Sequence, residues 1–189
     1  EVENSFINYF SKKTEIYKGM KLIDEKLGGT TPLEIIIKFP KKNRNDSSED
    51  DEFEDWGDGD ETNEEKYWFT RDKIDKIEKV HNYLDNLPAV GKVLSFSSII
   101  QVATALNDNR PLGSLEMGVL YSKIPDSIKK EIVDPYISIS NSEARINLRI
   151  KDSLDGLRRN ELINQINYDL ENKIGLKKDE YRLTGVLIL

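Results

Sequence analysis

Between Asp46 and Glu65 the chain carries twelve acidic side chains and no lysine or arginine. Like charges at that density repel one another, and within the run only Phe53 and Trp56 offer apolar surface against them. Such a stretch cannot join a hydrophobic core. Any fold must be built from the sequence on either side, with residues 41–66 carried as an acidic insertion that is expected to be disordered. Setting the twelve carboxylates aside turns the formal charge of −7 into +5, so the body is mildly basic. A basic body beside an acidic loop argues against a nucleic-acid partner, because the loop competes with phosphate for the same cations.

The 189 residues are enough to bury a core, and 37% hydrophobic with 33% charged residues is ordinary for a folded domain. No apolar run approaches the ~18 residues that span a bilayer. Glu1 opens a charged, amphipathic stretch and not a signal peptide. With Glu1 in place of an initiator Met and an apolar finish at Leu189, the chain is expected to be a piece of a longer protein. Cysteine is absent, which excludes disulfides, thiolate nucleophiles and zinc–thiolate sites.

Periodicity divides the rest. Phe6, Phe10, Ile16, Met20, Ile23 and Leu27 recur at helical spacing, with Lys12, Lys13, Lys18, Lys21 and Lys26 mostly elsewhere on the wheel. This predicts one amphipathic N-terminal helix within residues 1–29, stopped by Gly28-Gly29. Thr31 to Phe39 reads as a strand whose Ile35-Ile36-Ile37 run implies burial on both faces. Thr70 can cap a helix with Ile74, Ile77, Val80, Leu84 and Leu87 on one stripe, ended by Pro88. Val90–Phe96 reads as a strand, and Ser97 or Ser98 as the cap of a helix carrying Ile99, Ile100, Ala103 and Leu106. Short helices are expected over Ser114–Tyr121 and Asp126–Val133. Tyr136–Ser140 and Ala144–Ile150 read as a hairpin around Asn141-Ser142, Arg158–Ile174 as a helix with Leu162, Ile163, Ile166, Leu170 and Ile174 inward, and Tyr181–Leu189 as a strand.

With the insertions set aside, the order is strand, helix, strand, strand, helix, strand. The predicted class is α+β, a ferredoxin-like split βαβ unit over residues 30–96 and 144–189, with a helical excursion and hairpin strand over 97–143, all in one domain.

Candidate chemistry is sparse. His81 is the only histidine and shares a stripe with Ile77 and Leu84; without a second His or a Cys, it reads as a packing residue. No Gly-x-Ser-x-Gly elbow occurs. An EF-hand register with Gly59 sixth puts Glu54 first, Trp56 third and Asp58 fifth, and Trp at the third position removes a required oxygen ligand. Gly28-Gly29 follows a helix and precedes a strand, the reverse of a phosphate loop. Arg145 and Arg149 alternate along a strand as surface charges do, and fold analogy alone does not make an acylphosphatase of them. Trp56, Tyr67, Trp68 and Phe69 border the acidic insertion and are expected to pack at its root. No catalytic, cofactor-binding or metal-binding residue is assigned, no cofactor is expected, and the substrate-contacting residues are not identified.

Four stretches carry a resemblance. They are the Tyr9-Phe10 helix running into Leu27-Gly28-Gly29-Thr30-Thr31-Pro32-Leu33-Glu34; Leu87-Pro88-Ala89-Val90-Gly91-Lys92-Val93-Leu94-Ser95-Phe96; Leu106 to Leu120 with Arg110-Pro111-Leu112; and Arg182-Leu183-Thr184-Gly185-Val186-Leu187. In this order the chain, apart from its acidic insertion, resembles the extracytoplasmic loops of predicted exporters of the resistance–nodulation–division (RND) superfamily, in the branch that holds lipid exporters. The resemblance implies a porter-type ferredoxin-like domain of a proton-driven efflux transporter. It implies a periplasmic or extracytoplasmic location on the cytoplasmic membrane. Its implied partners are the transporter's own transmembrane helices, its second porter loop and a hydrophobic or lipid-like substrate. The proton-coupling carboxylates of such exporters lie in the membrane helices, so no enzymatic role is implied here. The competing expectation is a ligand- or protein-binding ectodomain of a membrane-anchored signalling or adaptor protein.

Overall fold

The computed structural model describes residues 6–41, 68–152, 154 and 157–185; the acidic run, with Trp56 and Tyr67, lies outside them. Its frame is an antiparallel sheet of β1 (Thr31–Lys38), β2 (Val90–Leu94), β3 (Ile137–Ser138), β4 (Glu143–Ile150) and β5 (Tyr181–Gly185). The order is β2-β4-β1-β5, with β3 paired to β4 as a short hairpin arm. β1 is central, and Ile35, Ile36 and Ile37 are all buried as their β-branched run implied.

One sheet face makes the core. Leu33, Ile35 and Ile37 of β1 stand beside Ile146, Leu148 and Ile150 of β4, with Ile35 directly opposite Ile146. Two helices cover this face, α2 (Arg71–Asp85) and α6 (Arg159–Asp169). Ile74, Ile77, Val80 and Leu84 of α2, and Leu162 and Ile166 of α6, join the same buried cluster. Each such side chain stabilises the fold by about 1.5–3 kcal/mol through removal from water. The opposite face is largely polar and open: Arg145 and Arg149 are exposed, and Arg145 reaches Glu34 at 3.8 Å.

Between β2 and β3 run α3 (Phe96–Leu106), α4 (Ser114–Lys123) and α5 (Asp126–Ile132). β2 is shorter than its apolar pattern because Ser95 leaves the strand and caps α3, accepting a hydrogen bond from the Ser97 N–H at 3.1 Å. Thr70 holds the N-cap position of α2 without a side-chain cap bond; the Arg71 N–H donates instead to Ser114 Oγ, at 2.9 Å. α6 passes into a single π turn, Leu170–Ile174, closed by Gly175 at φ 85°.

The N-terminal segment differs from one long helix. A 3₁₀ turn at Phe6–Tyr9 is separate from α1 (Glu15–Lys26), which starts where Thr14 Oγ1 accepts the Tyr17 N–H. The capping hydroxyl followed by Glu15 fixes a new start and breaks the register. α1 stops at Gly28 and Gly29, both at positive φ, and the Gly28 carbonyl accepts the Lys92 N–H. A Cβ on Gly91 would sit 1.8 Å from Gly28 O, so glycine is required for the α1–β1 turn to lie directly on β2.

The described chain enters and leaves at one end of the sheet. Thr31 pairs with Ile150 and Leu33 with Gly185, and the Ile7 N–H donates to Asp152, two residues beyond Ile150. The flanks of the acidic run leave from the other end, where the Phe39 N–H donates to Ser142 O and Trp68 Nε1–H to Ser142 Oγ. Among the described residues no helix is long and apolar enough to cross a membrane.

Candidate functional site

The helical excursion forms an apolar crease at the end of the domain from which the acidic run emerges. Its floor is Phe69, Phe96, Ile100 and Val133, and its walls are Ile99 and Ala103 of α3 and Met117, Leu120 and Tyr121 of α4. Aromatic rings form the base: the centroid of Phe69 lies 4.6 Å from that of Tyr121, 5.3 Å from Phe96 and 5.3 Å from Trp68. Phe39 meets Trp68 edge to face. Such contacts add about 0.5–1.5 kcal/mol beyond area burial and make the base stiff.

Two local devices place the walls. Ser95 launches α3 straight off the sheet. On the α4 side, the Gly113 N–H donates to Glu116 Oε2 at 2.7 Å, and Ser114 Oγ ties the first turn to α2. Lys129 Nζ sits 4.4 Å from the Tyr121 ring centre, adding a cation at one rim. Leu106, on the stripe of Ile99 and Ala103, is 83% exposed, and Leu120 is also exposed. The crease holds a volume of about 20 Å³, far below the several hundred Å³ of a small-molecule pocket. As it stands it is a seam that a ligand could occupy only after α3 and α4 part.

Polar clusters elsewhere hold the fold together. His81 Nδ1 lies 2.8 Å from Ser95 Oγ, a spacing that nucleophile–base pairs also show. Both side chains are buried, and Ser95 Oγ already accepts the Ser97 N–H. The hydroxyl keeps its own hydrogen and a second lone pair for His81, so the bond can run either way with the tautomer; burial pushes the histidine's pKa down, and Asp85 only partly opposes this. His81 is thus the packing residue its stripe predicted, with a polar partner that the sequence did not reveal.

A second cluster joins the N-terminal segment to the sheet. Asp24 is the one buried side chain of α1. Its Oδ1 accepts from Thr30 N–H (2.9 Å), Thr30 Oγ1–H (2.8 Å) and Asp152 N–H (2.8 Å). Asp152, also buried, accepts the Ile7 N–H and pairs with Arg159. A third links α2 to α6: Tyr83 OH donates to Asp169 Oδ2 at 2.8 Å, and Lys173 lies 3.0 Å from Oδ1. Burial of Asp169 would raise its pKa, but the bonds from Tyr83 and Lys173 outweigh this and hold it low. Among the described residues no group of three His, Cys, Asp or Glu is placed to hold a metal ion.

The residues singled out from sequence are scattered. Trp68 and Phe69 are buried at the root of the acidic run, whereas Trp56, Tyr67 and the EF-hand register around Gly59 lie outside the described residues. Arg145 and Arg149 stand on the open sheet face, opposite the one that α2 covers. The crease was missed because Ile99, Ile100, Ala103 and Leu106 read as an ordinary helix stripe, and no apolar face is assigned to the short helix that carries Met117 and Leu120. Only the excess of apolar residues over what one face of each short helix can bury signals it. Searches against protein-family models, curated proteins and solved structures find no match to this chain.

Proposed function

We propose that this chain is a porter domain of an RND-superfamily exporter, standing on the extracytoplasmic face of the cytoplasmic membrane between membrane-spanning segments. The observation that carries the reading is that the described chain enters and leaves at one end of the sheet, with Ile7 at Asp152 and Gly185 at Leu33. A domain looped between two spans needs both ends on one side. The strand order β2-β4-β1-β5 with α2 and α6 on one face supports a ferredoxin-like unit, as does the interleaving of the two β-helix-β segments.

The domain works in this reading as a moving part, with its stiff sheet rocking against a second porter loop. The crease supplies apolar surface: when α4 swings from α3, Phe69, Phe96 and Tyr121 are uncovered to a hydrophobic or amphiphilic molecule. The chemistry of coupling belongs to the membrane helices, and this chain performs none. A second reading, a protein-binding ectodomain of an adaptor, is favoured by the small volume of the crease and the exposure of Leu106.

The two readings separate on one experiment. Ala103→Trp fills the seam without touching the sheet. Introduced into the full-length protein, it should abolish export of a hydrophobic fluorescent dye while leaving the protein in the membrane at normal level. Unchanged export, or a full-length protein with a single span, would leave the adaptor reading standing alone.

A further inference from the structure

The N-terminal helix is attached to the domain by the wrong edge for a core helix. Ile16, Met20, Ile23 and Leu27 form one stripe along and just past α1. Ile16, Ile23 and Leu27 are 58%, 43% and 62% exposed. The side chain that faces the domain is Asp24, one position and about 100° round the helix from Ile23. Its carboxylate is fixed by Thr30 and Asp152, so the stripe is turned to one side of the face that meets the sheet: Met20, one turn before Asp24, is half-buried and the other three stay exposed.

The charge around that stripe has one sign in excess. Lys12 and Lys13 precede the helix, and Lys18, Lys21 and Lys26 lie along it, all exposed. Glu15 and Glu25 pair with Lys18 and Lys21, while Lys12, Lys13 and Lys26 have no ion pair among the described residues. Exposed apolar residues with lysines on the flanks are what a helix needs to lie in the headgroup layer of a bilayer. The stems of the lysines run along the apolar surface and their ammonium groups reach phosphate.

We propose that α1 is a membrane-surface anchor that lies in the plane of an anionic lipid bilayer, with Ile16, Met20, Ile23 and Leu27 in the acyl boundary and Lys12, Lys13 and Lys26 on lipid phosphates. The inference goes beyond the exporter reading and does not depend on it, since an anchored adaptor would present the same helix. It assigns this end of the domain, and not the crease, to the lipid. The strand end at Gly185 lies at the same end of the sheet, so the anchor fixes which way the domain stands.

The chain has no cysteine, so a single Leu27→Cys change takes an environment-sensitive dye at one place. The labelled domain is mixed with vesicles of phosphatidylcholine containing one-third phosphatidylglycerol, or with pure phosphatidylcholine. A blue shift with the anionic vesicles only is expected, reversed by high salt. Unlabelled protein should co-sediment with the same vesicles. Ile23→Asp should weaken that partitioning at least tenfold, and Lys12→Gln, Lys13→Gln and Lys26→Gln together roughly a hundredfold, about fivefold for each cation removed. Val102→Asp, at an apolar position on α3 that is more exposed than Ile23, should bind as the parent does. Melting at the parent temperature certifies each variant as folded, and Ile16→Ser serves if Ile23→Asp does not fold. Equal binding to neutral vesicles, binding that survives Ile23→Asp, no binding at all, or a concentration-dependent dimer that Ile23→Asp dissolves would each overturn the proposal. None of these outcomes bears on dye export through the crease.

Discussion

Helices α1 and α2 are written in nearly the same pattern and meet opposite fates. Both are amphipathic to the same degree, both begin beside a threonine, and both carry an apolar stripe with lysines elsewhere. α2 buries Ile74, Ile77, Val80, His81 and Leu84, packed against β2 and β4. α1 buries Asp24 alone and leaves Ile16 and Ile23 in solvent. The difference lies in the anchor. α2 follows the sheet closely enough for its stripe to replace water over the strands. α1 is held by a carboxylate at the sheet's end, where Thr30 and Asp152, just outside β1 and β4, supply the donors. Periodicity thus states that a helix has two faces, and only the tertiary frame decides which one is inside.

The comparison breaks most sharply when one charge is placed on each stripe. Ile77→Asp puts an unpaired carboxylate into a site that is 1% exposed and should cost about 4 kcal/mol or more, enough to unfold a marginal domain. Ile23→Asp on α1 should change stability by no more than about 0.5 kcal/mol. Urea titration of both variants measures the contrast, and a comparable loss at Ile23 would mean that its stripe is covered.

Next in size are the devices that hold α1 to the sheet. Asp24→Ala strips the acceptor from three donors and should cost about 3 kcal/mol, more than removal of any apolar residue of the same helix. Gly91→Ala drives a methyl into the Gly28 carbonyl and should cost about 2 kcal/mol as β2 and the turn move apart. Amide exchange should then quicken at the Lys92 N–H, which donates to Gly28. If Asp24→Ala melted with the parent while Leu84→Ala lost its usual 2–5 kcal/mol, the anchor would lie elsewhere.

Much of this frame was legible. Ile35-Ile36-Ile37 announced a central strand, and all three are buried, Ile36 being the one buried side chain of β1 on the otherwise open face. The stripes of Ile74 to Leu84 and Leu162 to Ile166 announced the helices that cover it. What escaped were long-range polar contacts, which leave no periodic trace. Nothing local distinguishes Asp24 from the other acids of its helix, yet its partner Asp152 lies 128 positions away. Likewise Ser95 looked like the end of a strand, whereas its hydroxyl both caps α3 and meets His81. The crease is a related case, since it exists only where three short helices each fail to bury a full stripe.

The smallest effect concerns His81, the polar member of the stripe that α2 buries and α1 has no counterpart to. Burial holds its pKa below the ordinary 6.5, and Asp85 opposes this only in part. The unfolded chain therefore takes up a proton that the folded one refuses. Stability from this group is fully present above about pH 6.5 and is lost as pH falls below it, until the folded histidine also protonates. The slope from one such group is at most about 1.4 kcal/mol per pH unit. Glu78 works in the opposite sense in a lower window, because burial raises its carboxyl despite Arg71 and folding then favours its protonated form as pH falls. The difference between parent and variant isolates the histidine. His81→Gln keeps an acceptor for the Ser95 hydroxyl and removes the titration. Urea midpoints at about pH 7.5 and about pH 5.5 should fall together for the two proteins at the higher pH, apart from a constant packing loss, and should diverge at the lower, with the variant keeping more of its stability. Parallel slopes would mean that His81 is protonated as easily in the fold as out of it.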